Sequence, residues 1–295
     1  MRHSFEWPTL AFLLMTYAVW AAATVWLATV SMPLAVVVAA LAIAQHSSLQ
    51  HEMMHGHPFR DPRLNAALVF PALILVIPYL RFRDTHLAHH QDSRLTDPYD
   101  DPESNYLDAG AWERLPAWGQ RLLNLNNTLA GRMVLGPVIG TLVFLMSEVR
   151  TAQSDARVLR GWLWHAPMVL PVIVWVLWSP MPFWAYALAV YLALALLRIR
   201  TFLEHQAHEQ ARARSVIIED RGPLALLFLN NNLHVVHHMH PRVPWYRLPA
   251  LYRENAVRYR RVNEGYVFRS YAEVFRRYFL SQKDPVPHPL WRRRP

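Results

Sequence analysis

Residues 9–30 read TLAFLLMTYAVWAAATVWLATV, a run of 22 residues without a charged side chain. A helix needs about 20 apolar residues to cross the hydrocarbon core of a bilayer. A signal peptide would show a shorter apolar region followed by small residues at a cleavage site, and this pattern is missing here. The run therefore predicts a membrane-spanning helix.

A second apolar run follows almost at once. It begins at Pro33 and contains no Asp, Glu, Lys or Arg before Glu52. Only the tripeptide at 31–33 separates it from the first run, which is too short for anything but a tight turn. The two runs therefore predict a helical hairpin, with its tip near Ser31.

A second pair of apolar runs repeats this arrangement later in the chain. Gly161–Trp178 turns at SPMP into Phe183–Leu197, which is at the short end for a span and would need tilt or local bilayer thinning. The chain is therefore expected to be an all-α integral membrane protein with four transmembrane helices in two hairpins, at about 9–51 and 161–198. Two shorter segments broken by prolines, Leu64–Leu80 and Met133–Met146, are expected to be interfacial or half-inserted helices.

Charge and composition limit the possible functions and the orientation. Only 17% of residues are charged, below the roughly 25% of soluble domains, and the formal net charge is +9. With apolar runs of this length, such basicity favours a basic cytoplasmic face over nucleic-acid binding. The hairpin tips near Ser31 and Ser179 lack Lys and Arg, so both termini and a helical cap are expected in the cytoplasm, at a bacterial inner membrane.

Histidines gather where the predicted spans reach the cytoplasm. HEMMH and HLAHH, and later HVVHH, have spacings of three or four residues, which place imidazoles on one face of a helix. One more histidine follows the fourth span directly. Isolated histidines such as His46, His165 and His288 are expected to be structural. The clustered set consists of His51, His55, His86, His89, His90, His205, His234, His237 and His238.

This set predicts a metal site made of nitrogen ligands. The neutral imidazole is the commonest metal ligand, and the absence of cysteine excludes thiolate ligands. Nine imidazoles exceed what a single zinc ion needs. The number indicates two metal ions. A nitrogen-rich site without thiolate suits iron or, less often, zinc or copper, and iron is favoured over zinc if the reaction is oxidative.

The three histidine motifs on a two-hairpin scaffold resemble the membrane fatty acid desaturase family. The resemblance covers about 45–250, including LTDPYDDPE after the second motif and HPRVPWYRLP after the third. It implies one domain over 1–295, with cytoplasmic histidine-bearing regions at about 51–160 and 199–295. It also implies a di-iron enzyme that activates dioxygen, with the nine histidines as metal ligands and catalytic residues. Some members carry an asparagine ligand at the position of Thr201, which is a departure here.

The resemblance leaves the product open. The same motifs serve carotenoid ketolases and hydroxylases and alkane hydroxylases, although acyl-chain desaturation is favoured. HEMMH also matches H-E-x-x-H, the zinc peptidase signature, in which Glu52 would be the general base. That alternative, an intramembrane zinc metalloprotease, leaves both H-x-x-H-H motifs unexplained. A metal-storage protein would need neither a membrane nor an apolar pocket.

Residues near the motifs are candidates for holding the ligands in place. Carboxylates usually accept the second N–H of a ligating histidine, and the candidates are Glu52, Asp84, Glu204 and Glu209. The acidic turn containing Asp97, Asp100 and Asp101 either shares this role or is a solvated loop. Asn231 or Asn232 is expected to cap the third-motif helix, and the alternative is that one of them serves the metal through water. The flanking histidines, expected to support ligands or to lie on the surface, are His57, His208 and His240, of which His208 would share a helical face with His205.

Electrons must come from a separate protein. The chain has no Gly-rich dinucleotide fingerprint and no cysteine for an iron–sulfur cluster, so a ferredoxin or cytochrome donor is implied. The C-terminal region is rich in arginine, and SYAEVFRRYFL opens with a capping box from Ser270 to Glu273. This basic amphipathic helix is expected to lie on anionic lipid, to dock an acidic donor, or both.

Overall fold

The computed structural model describes residues 6–90 and 94–291, and most of them are helical. Within these residues, four helices are long and apolar enough to cross a membrane: Trp7–Val30, Met32–Met54, Ala156–Trp178 and Phe183–Thr201. The prediction of an all-α integral membrane fold with four spans is confirmed. The two termini, predicted to be cytoplasmic, lie outside the described residues.

The chain divides into two compact units. The first is formed by Met1–Arg83 and Pro137–Leu197, and the second by Asp84–Gly136 and Arg198–Pro295. The helices of the first unit, three of which also contain residues of the second, are Trp7–Ala22, a π-helical turn at Ala23–Leu27, Ala28–Val30, Met32–Met54, Pro62–Leu68, Tyr79–His89, Gly136–Ala152, Ala156–Trp178 and Phe183–Thr201.

Prolines and polar caps mark where the spans begin. Pro33 lies in the first turn of Met32–Met54, where a missing N–H costs no hydrogen bond. The Asp155 side chain accepts a hydrogen bond from the backbone N–H of Arg157 at 2.8 Å and so caps Ala156–Trp178. This helix begins five residues before the predicted Gly161, because the capped polar turn precedes the apolar run.

The predicted helix over Leu64–Leu80 is only partly formed. A helix covers Pro62–Leu68, but 70–78 is an irregular loop that includes Leu75 at a φ of 63°. Pro71 and Pro78 supply no backbone N–H and disfavour a continuous helix. Much of this loop is buried, so its backbone needs polar partners in place of water.

Side chains of the spans supply those partners. Tyr186 donates to the carbonyl oxygen of Leu73 at 2.8 Å, and a ring nitrogen of His165 lies 2.7 Å from the carbonyl oxygen of Leu75. The backbone N–H of Ala72 donates to the carbonyl oxygen of Met168 at 2.9 Å. His165 is therefore a structural histidine, as its isolated position predicted.

A buried ion pair fixes the start of the helix that bears the second histidine motif. Arg81 donates to both carboxylate oxygens of Glu148, at 2.7 and 3.0 Å, and Trp162 donates to the same carboxylate at 3.0 Å. A Cβ atom on Gly161 would lie 2.7 Å from Cδ of Arg81. Glycine at this position therefore allows Ala156–Trp178 and the Arg81 side chain to approach closely.

The second unit is built from short helices and irregular segments. Its elements after the second motif are Ala109–Glu113, Ala117–Asn126, Leu129–Val134, a 3₁₀ turn at Ala211–Ala213, Pro223–Leu227, His234–Met239, Leu248–Val262 and Tyr271–Tyr278. Strands Ile217–Ile218 and Val267–Phe268 pair in parallel, with Ile217 opposite Val267. A buried hydrophobic core contains Ile217, Val235, Val236, Leu248 and Tyr259. The third-motif helix is therefore held in place by apolar packing.

The predicted capping box near the C-terminus is confirmed in part. The backbone N–H of Glu273 donates to Oγ of Ser270 at 3.2 Å, which caps Tyr271–Tyr278. The Glu273 carboxylate accepts from the backbone N–H of Arg269 at 2.7 Å, one residue before the cap itself. Arg276 and Arg277 are exposed on this helix.

Candidate metal centre

All three histidine motifs lie on or directly after helices. His51 lies in the last turn of Met32–Met54 and His55 follows it, with the two ring centroids 5.0 Å apart in the first unit. His86 and His89 end the helix Tyr79–His89, with His90 next in the chain. The third motif forms the helix His234–Met239. The helical spacing read from the sequence is confirmed.

Four imidazoles of the second unit meet in one place. Each of them offers a ring nitrogen within 4.8 Å of the others: His89, His205, His234 and His238. This set is called the His205 group. Nε2 of His205 lies 2.8 Å from Nε2 of His89 and 3.0 Å from Nε2 of His234, so His205 is at its middle.

Three more imidazoles of the same unit form a second set, called the His86 group: His86, His90 and His237. Nε2 of His90 lies 2.9 Å from Nε2 of His86 and 3.1 Å from Nε2 of His237. The two groups adjoin, since the rings of His90 and His238 stack with centroids 4.3 Å apart. The unit therefore holds two neighbouring sets of ring nitrogens.

These spacings fit metal coordination. Bonds of about 2.1 Å from a transition metal to imidazole place two ligand nitrogens at right angles about 3.0 Å apart. The four Nε2–Nε2 distances, 2.8, 3.0, 2.9 and 3.1 Å, are close to that value. Each group can thus present its nitrogens to a single ion.

The outward ring nitrogens fix how the rings are turned. Nδ1 of His89 lies 2.7 Å from Oδ1 of Asp101, and Nδ1 of His234 lies 3.1 Å from Oδ1 of Asn231. Carboxylate and amide oxygens only accept hydrogen bonds, so both Nδ1 atoms carry a proton. In the neutral rings, Nε2 then points inward with a free lone pair. This is the tautomer that a metal ligand needs.

The other two outward contacts are also to oxygen. Nδ1 of His86 lies 3.2 Å from Oε1 of Glu103, and Nδ1 of His205 lies 3.2 Å from Oγ of Ser215. Several inward lone pairs that face one another repel unless a cation lies between them. The donor set is therefore suited to positive ions.

Charge in the second unit reinforces this preference. Burial would lower the pKa of His89, but the negative charges of Glu103 and Asp101 outweigh it and raise the pKa to about 9. The same charges stabilise a metal ion that competes with the proton for Nε2. Burial and the neighbouring imidazoles, His89 foremost, lower the pKa of His205 well below its usual value. His205 is consequently neutral and able to bind a metal.

The acidic turn after the second motif supports the ligands. Asp101 is buried, and besides binding His89 it accepts backbone N–H groups of Thr96 at 2.8 Å and Glu103 at 2.9 Å. Of the two roles left open for Asp101, the structure favours support of a ligand over a solvated loop. Asp97 instead accepts the backbone N–H of Tyr99 and of Asp100 within an exposed turn.

Glu103 was missed as a support for a ligand. It stands two residues after Asp101 in the quoted acidic segment, and its carboxylate lies 3.2 Å from Nδ1 of His86 and 3.8 Å from Nε2 of His89. A sequence signal did exist, because carboxylates close to a histidine motif are candidates in general. Several acidic residues follow the second motif closely, and the sequence alone does not show which of them contacts a histidine.

A buried relay supports His234. Nδ2 of Asn231 donates to Oε1 of Glu204 at 3.2 Å, while its Oδ1 faces His234. Glu204 in turn lies 2.9 Å from Nε of Arg200. The prediction that Asn231 or Asn232 caps the helix was wrong, because the cap residue is Leu233 and no side chain caps there. Asn232 instead donates to the carbonyl oxygen of Ile218 at 2.6 Å.

The other carboxylates that were predicted to hold a ligating histidine in place lie in different environments. Glu209 is exposed, Asp84 is half-buried, and Glu52 lies 3.9 Å from His57, which also contacts Glu6 at 2.9 Å. The helix ends at Thr201, so the prediction that His208 shares a helical face with His205 was wrong.

The other flanking and isolated histidines make local contacts. His208 lies 3.5 Å from Glu264, and the ring of His240 packs edge-on against Tyr259. His46 lies 3.0 Å from the hydroxyl of Tyr17, and His288 lies 3.1 Å from that of Thr96. Neither His46 nor His288 belongs to the His205 or the His86 group, in line with their predicted structural role.

Comparison with known proteins agrees with this arrangement. The family model described as fatty acid desaturase matches residues 24–270, which include all three histidine motifs and His205. The chain belongs to the fatty acid desaturase family. It is thus an oxidoreductase of a membrane desaturase and oxygenase family.

One relative of the chain is an enzyme that acts on a carotenoid. The β-carotene ketolase of Paracoccus sp. is 33% identical to this chain over 99 residues. The match covers 30% of this chain and 40% of the ketolase, less than half of the relative's length.

Proposed function

We propose that this protein is a membrane-bound di-iron oxidoreductase that uses dioxygen to introduce a double bond into the acyl chain of a lipid. The observation that carries the proposal is the pair of adjoining imidazole groups, whose Nε2 atoms face inward at 2.8–3.1 Å. Imidazole suits several transition metals. Iron is proposed because the family reaction is a redox reaction, and zinc has no redox chemistry.

The nine histidines divide between two ions. The His205 group would hold one iron. The His86 group would hold the other together with His51 and His55, which are assigned on the HEMMH pattern. Bound iron would supply the activation of dioxygen that breaks an unactivated C–H bond. The chain's own contribution is to present neutral rings in the correct tautomer, through Asp101, Glu103 and Asn231.

A carotenoid ketolase or hydroxylase is the second candidate. The match of 33% identity over 99 residues to β-carotene ketolase favours it. Both candidates need the same ions, oxygen and electrons, and they differ in the substrate carbon that is oxidised. The zinc peptidase alternative uses HEMMH alone, whereas the family match spans 24–270.

The proposed reaction also needs an electron donor that binds on one side of the membrane. A ferredoxin or cytochrome-type donor would reduce the irons from the cytoplasmic side of a bacterial inner membrane. The arginine distribution predicts both termini on that side. The exposed Arg276 and Arg277 on Tyr271–Tyr278 offer positive charge to an acidic donor. The match of opposite charges would speed their association.

The test is product analysis in a bacterial host that makes both saturated lipids and β-carotene. The chain is expressed with and without oxygen, and acyl chains and carotenoids are examined by mass spectrometry. We expect oxygen-dependent acyl products 2 Da lighter than their precursors. Oxygen-dependent keto- or hydroxycarotenoids with unchanged acyl chains would favour the second candidate, and products that form without oxygen would contradict both.

A further inference from the structure

The chain contains one lysine among its 30 lysine and arginine residues, and that lysine is Lys283. Its side chain is only 12% exposed. Lysine carries its charge as a point on a flexible stem, whereas arginine presents a broad planar group. Burying an ammonium group costs free energy unless the group is paired and hydrogen-bonded. The contacts of the Lys283 ammonium therefore indicate its role.

Three groups surround the ammonium. Nζ of Lys283 donates a hydrogen bond to the backbone carbonyl oxygen of His205. It lies 3.8 Å from Oδ2 of Asp284 and 5.8 Å from the ring centroid of Tyr106. The backbone of a proposed iron ligand is thus held directly by a buried cation.

His205 needs such a contact more than the other members of its group. His89 and His234 lie in helices, and His238 shares the helix His234–Met239. His205 lies four residues past the end of Phe183–Thr201, in a segment tied to the chain by an isolated bridge to Ser215. Its position therefore depends on contacts outside any helix.

The same C-terminal segment also holds the acidic turn. Tyr106 donates to the carboxylate of Asp284 and accepts the backbone N–H of Ala207 at 2.9 Å. The backbone N–H of Leu107 donates to the carbonyl oxygen of Val286 at 3.0 Å. Lys283 and its neighbours therefore fix His205 and the turn that carries Asp101 and Glu103 relative to each other.

We propose that Lys283 is a positioning residue of the metal centre, whose ammonium fixes the backbone of His205 and so controls how firmly the His205 group retains iron. The inference rests on the proposed di-iron function. It adds the C-terminal segment around Lys283 and Asp284 to the parts of the chain that build the site.

The first test compares Lys283→Met with a matched control, Arg212→Met, which removes an exposed cation from the same loop as His205. Both iron-loaded proteins are mixed with a chelator to follow iron release, and thermal unfolding is measured on the iron-free proteins. We expect Lys283→Met to release iron about 10–100-fold faster than wild type, the range typical of residues that hold a ligand in place. Arg212→Met should match wild type.

The outcomes separate the inference from the proposed function. A wild-type chain without bound iron contradicts the proposed function itself. An iron-containing wild type whose Lys283→Met variant releases iron at the wild-type rate contradicts only the role of Lys283. Faster release together with an unfolding midpoint of the iron-free variant equal to that of iron-free Arg212→Met supports positioning, because general loss of structure would lower the midpoint even without the metal. Faster release with a lowered midpoint of the iron-free variant contradicts it.

A second test needs no variant, so it also decides the matter if Lys283→Met does not accumulate. Lys283 is the only lysine, so peptide mass spectrometry after reductive methylation separates the modification of its ε-amine from that of the chain's α-amine. Linkage is reciprocal, so removing iron should loosen the His205 segment and expose the amine. We expect methylation about 10-fold faster or more after chelation. Equal rates with and without iron would overturn the proposal.

Discussion

The two imidazole groups differ in how the chain holds them. The His86 group takes its rings from two helical motifs, and the carboxylate of Glu103, which contacts the outward nitrogen of His86, is 25% exposed. The His205 group depends on a ring outside any helix and on buried partners, including Asp101 and Asn231. Two helical motifs are enough to supply the rings of the His86 group, whereas the His205 group also needs a ring that contacts with other segments hold outside any helix.

The largest effect is expected when a ring at the middle of a group is lost. His205→Gln removes the nitrogen that lies 2.8 and 3.0 Å from its neighbours, and an amide replaces imidazole poorly. Product formation should fall more than about 100-fold, beyond the range for residues that only support a ligand. His208→Gln is the matched control and should retain activity.

Product assays in membranes, with protein amount measured by immunoblotting, check this prediction. His237→Gln should be as severe, because His237 belongs to the other group and both ions are needed. Full activity of His205→Gln would show that this ring is not a ligand, and the comparison between the two groups would fail.

A smaller effect is expected when the carboxylates are neutralised. Asp101→Asn should lower activity about 10–100-fold, because a buried partner 2.7 Å from His89 is changed to an amide. Glu103→Gln should cost less, since its contact with His86 is 3.2 Å and partly exposed. Activity and iron content measured side by side will rank them, and the reverse order would contradict the proposed contrast.

A change at Asn231 tests the relay from Glu204 to His234. Asn231→Leu has a similar volume but leaves Nδ1 of His234 without the Oδ1 acceptor at 3.1 Å. We expect about a 10-fold loss of activity, at the low end for such residues. The same substitution at exposed Arg212 serves as the control. If Asn231→Leu keeps wild-type activity, the relay does not orient the ring.

The smallest effect is expected at Ser215. Ser215→Ala removes the hydroxyl 3.2 Å from Nδ1 of His205 but leaves the hydrogen bond from Lys283 to the backbone. A neutral hydrogen bond contributes about 1 kcal/mol, so activity should fall only about 5-fold. A loss as large as that of His205→Gln would mean that the hydroxyl, not the backbone tether, determines where the ring lies.

Much of the fold could be predicted from local pattern. Apolar length located the spans, with the second predicted over Pro33–Glu52 and observed at Met32–Met54. Helical periodicity likewise grouped the histidines of each motif correctly. Both signals are short-range, because each depends only on residues within a few turns of one another.

What could not be predicted depends on contacts between distant residues. The loop at 70–78 is irregular because Tyr186 and His165 satisfy its backbone, and neither residue is close to it in sequence. Glu103 stood among several acidic residues, and only the fold shows that it faces His86. The position of His205 was reached through family resemblance, since no helical spacing connects it with the other ligands.

Iron quantification combined with Mössbauer spectroscopy of purified ⁵⁷Fe-loaded protein is the most direct test of a metal centre divided between the two imidazole groups. Two adjoining groups predict about two irons per chain. His205→Gln should lower this to about one and remove one of two iron signals, because the His86 group remains intact. One zinc per chain with negligible iron, or two irons unchanged in His205→Gln, would contradict a centre divided between these two groups.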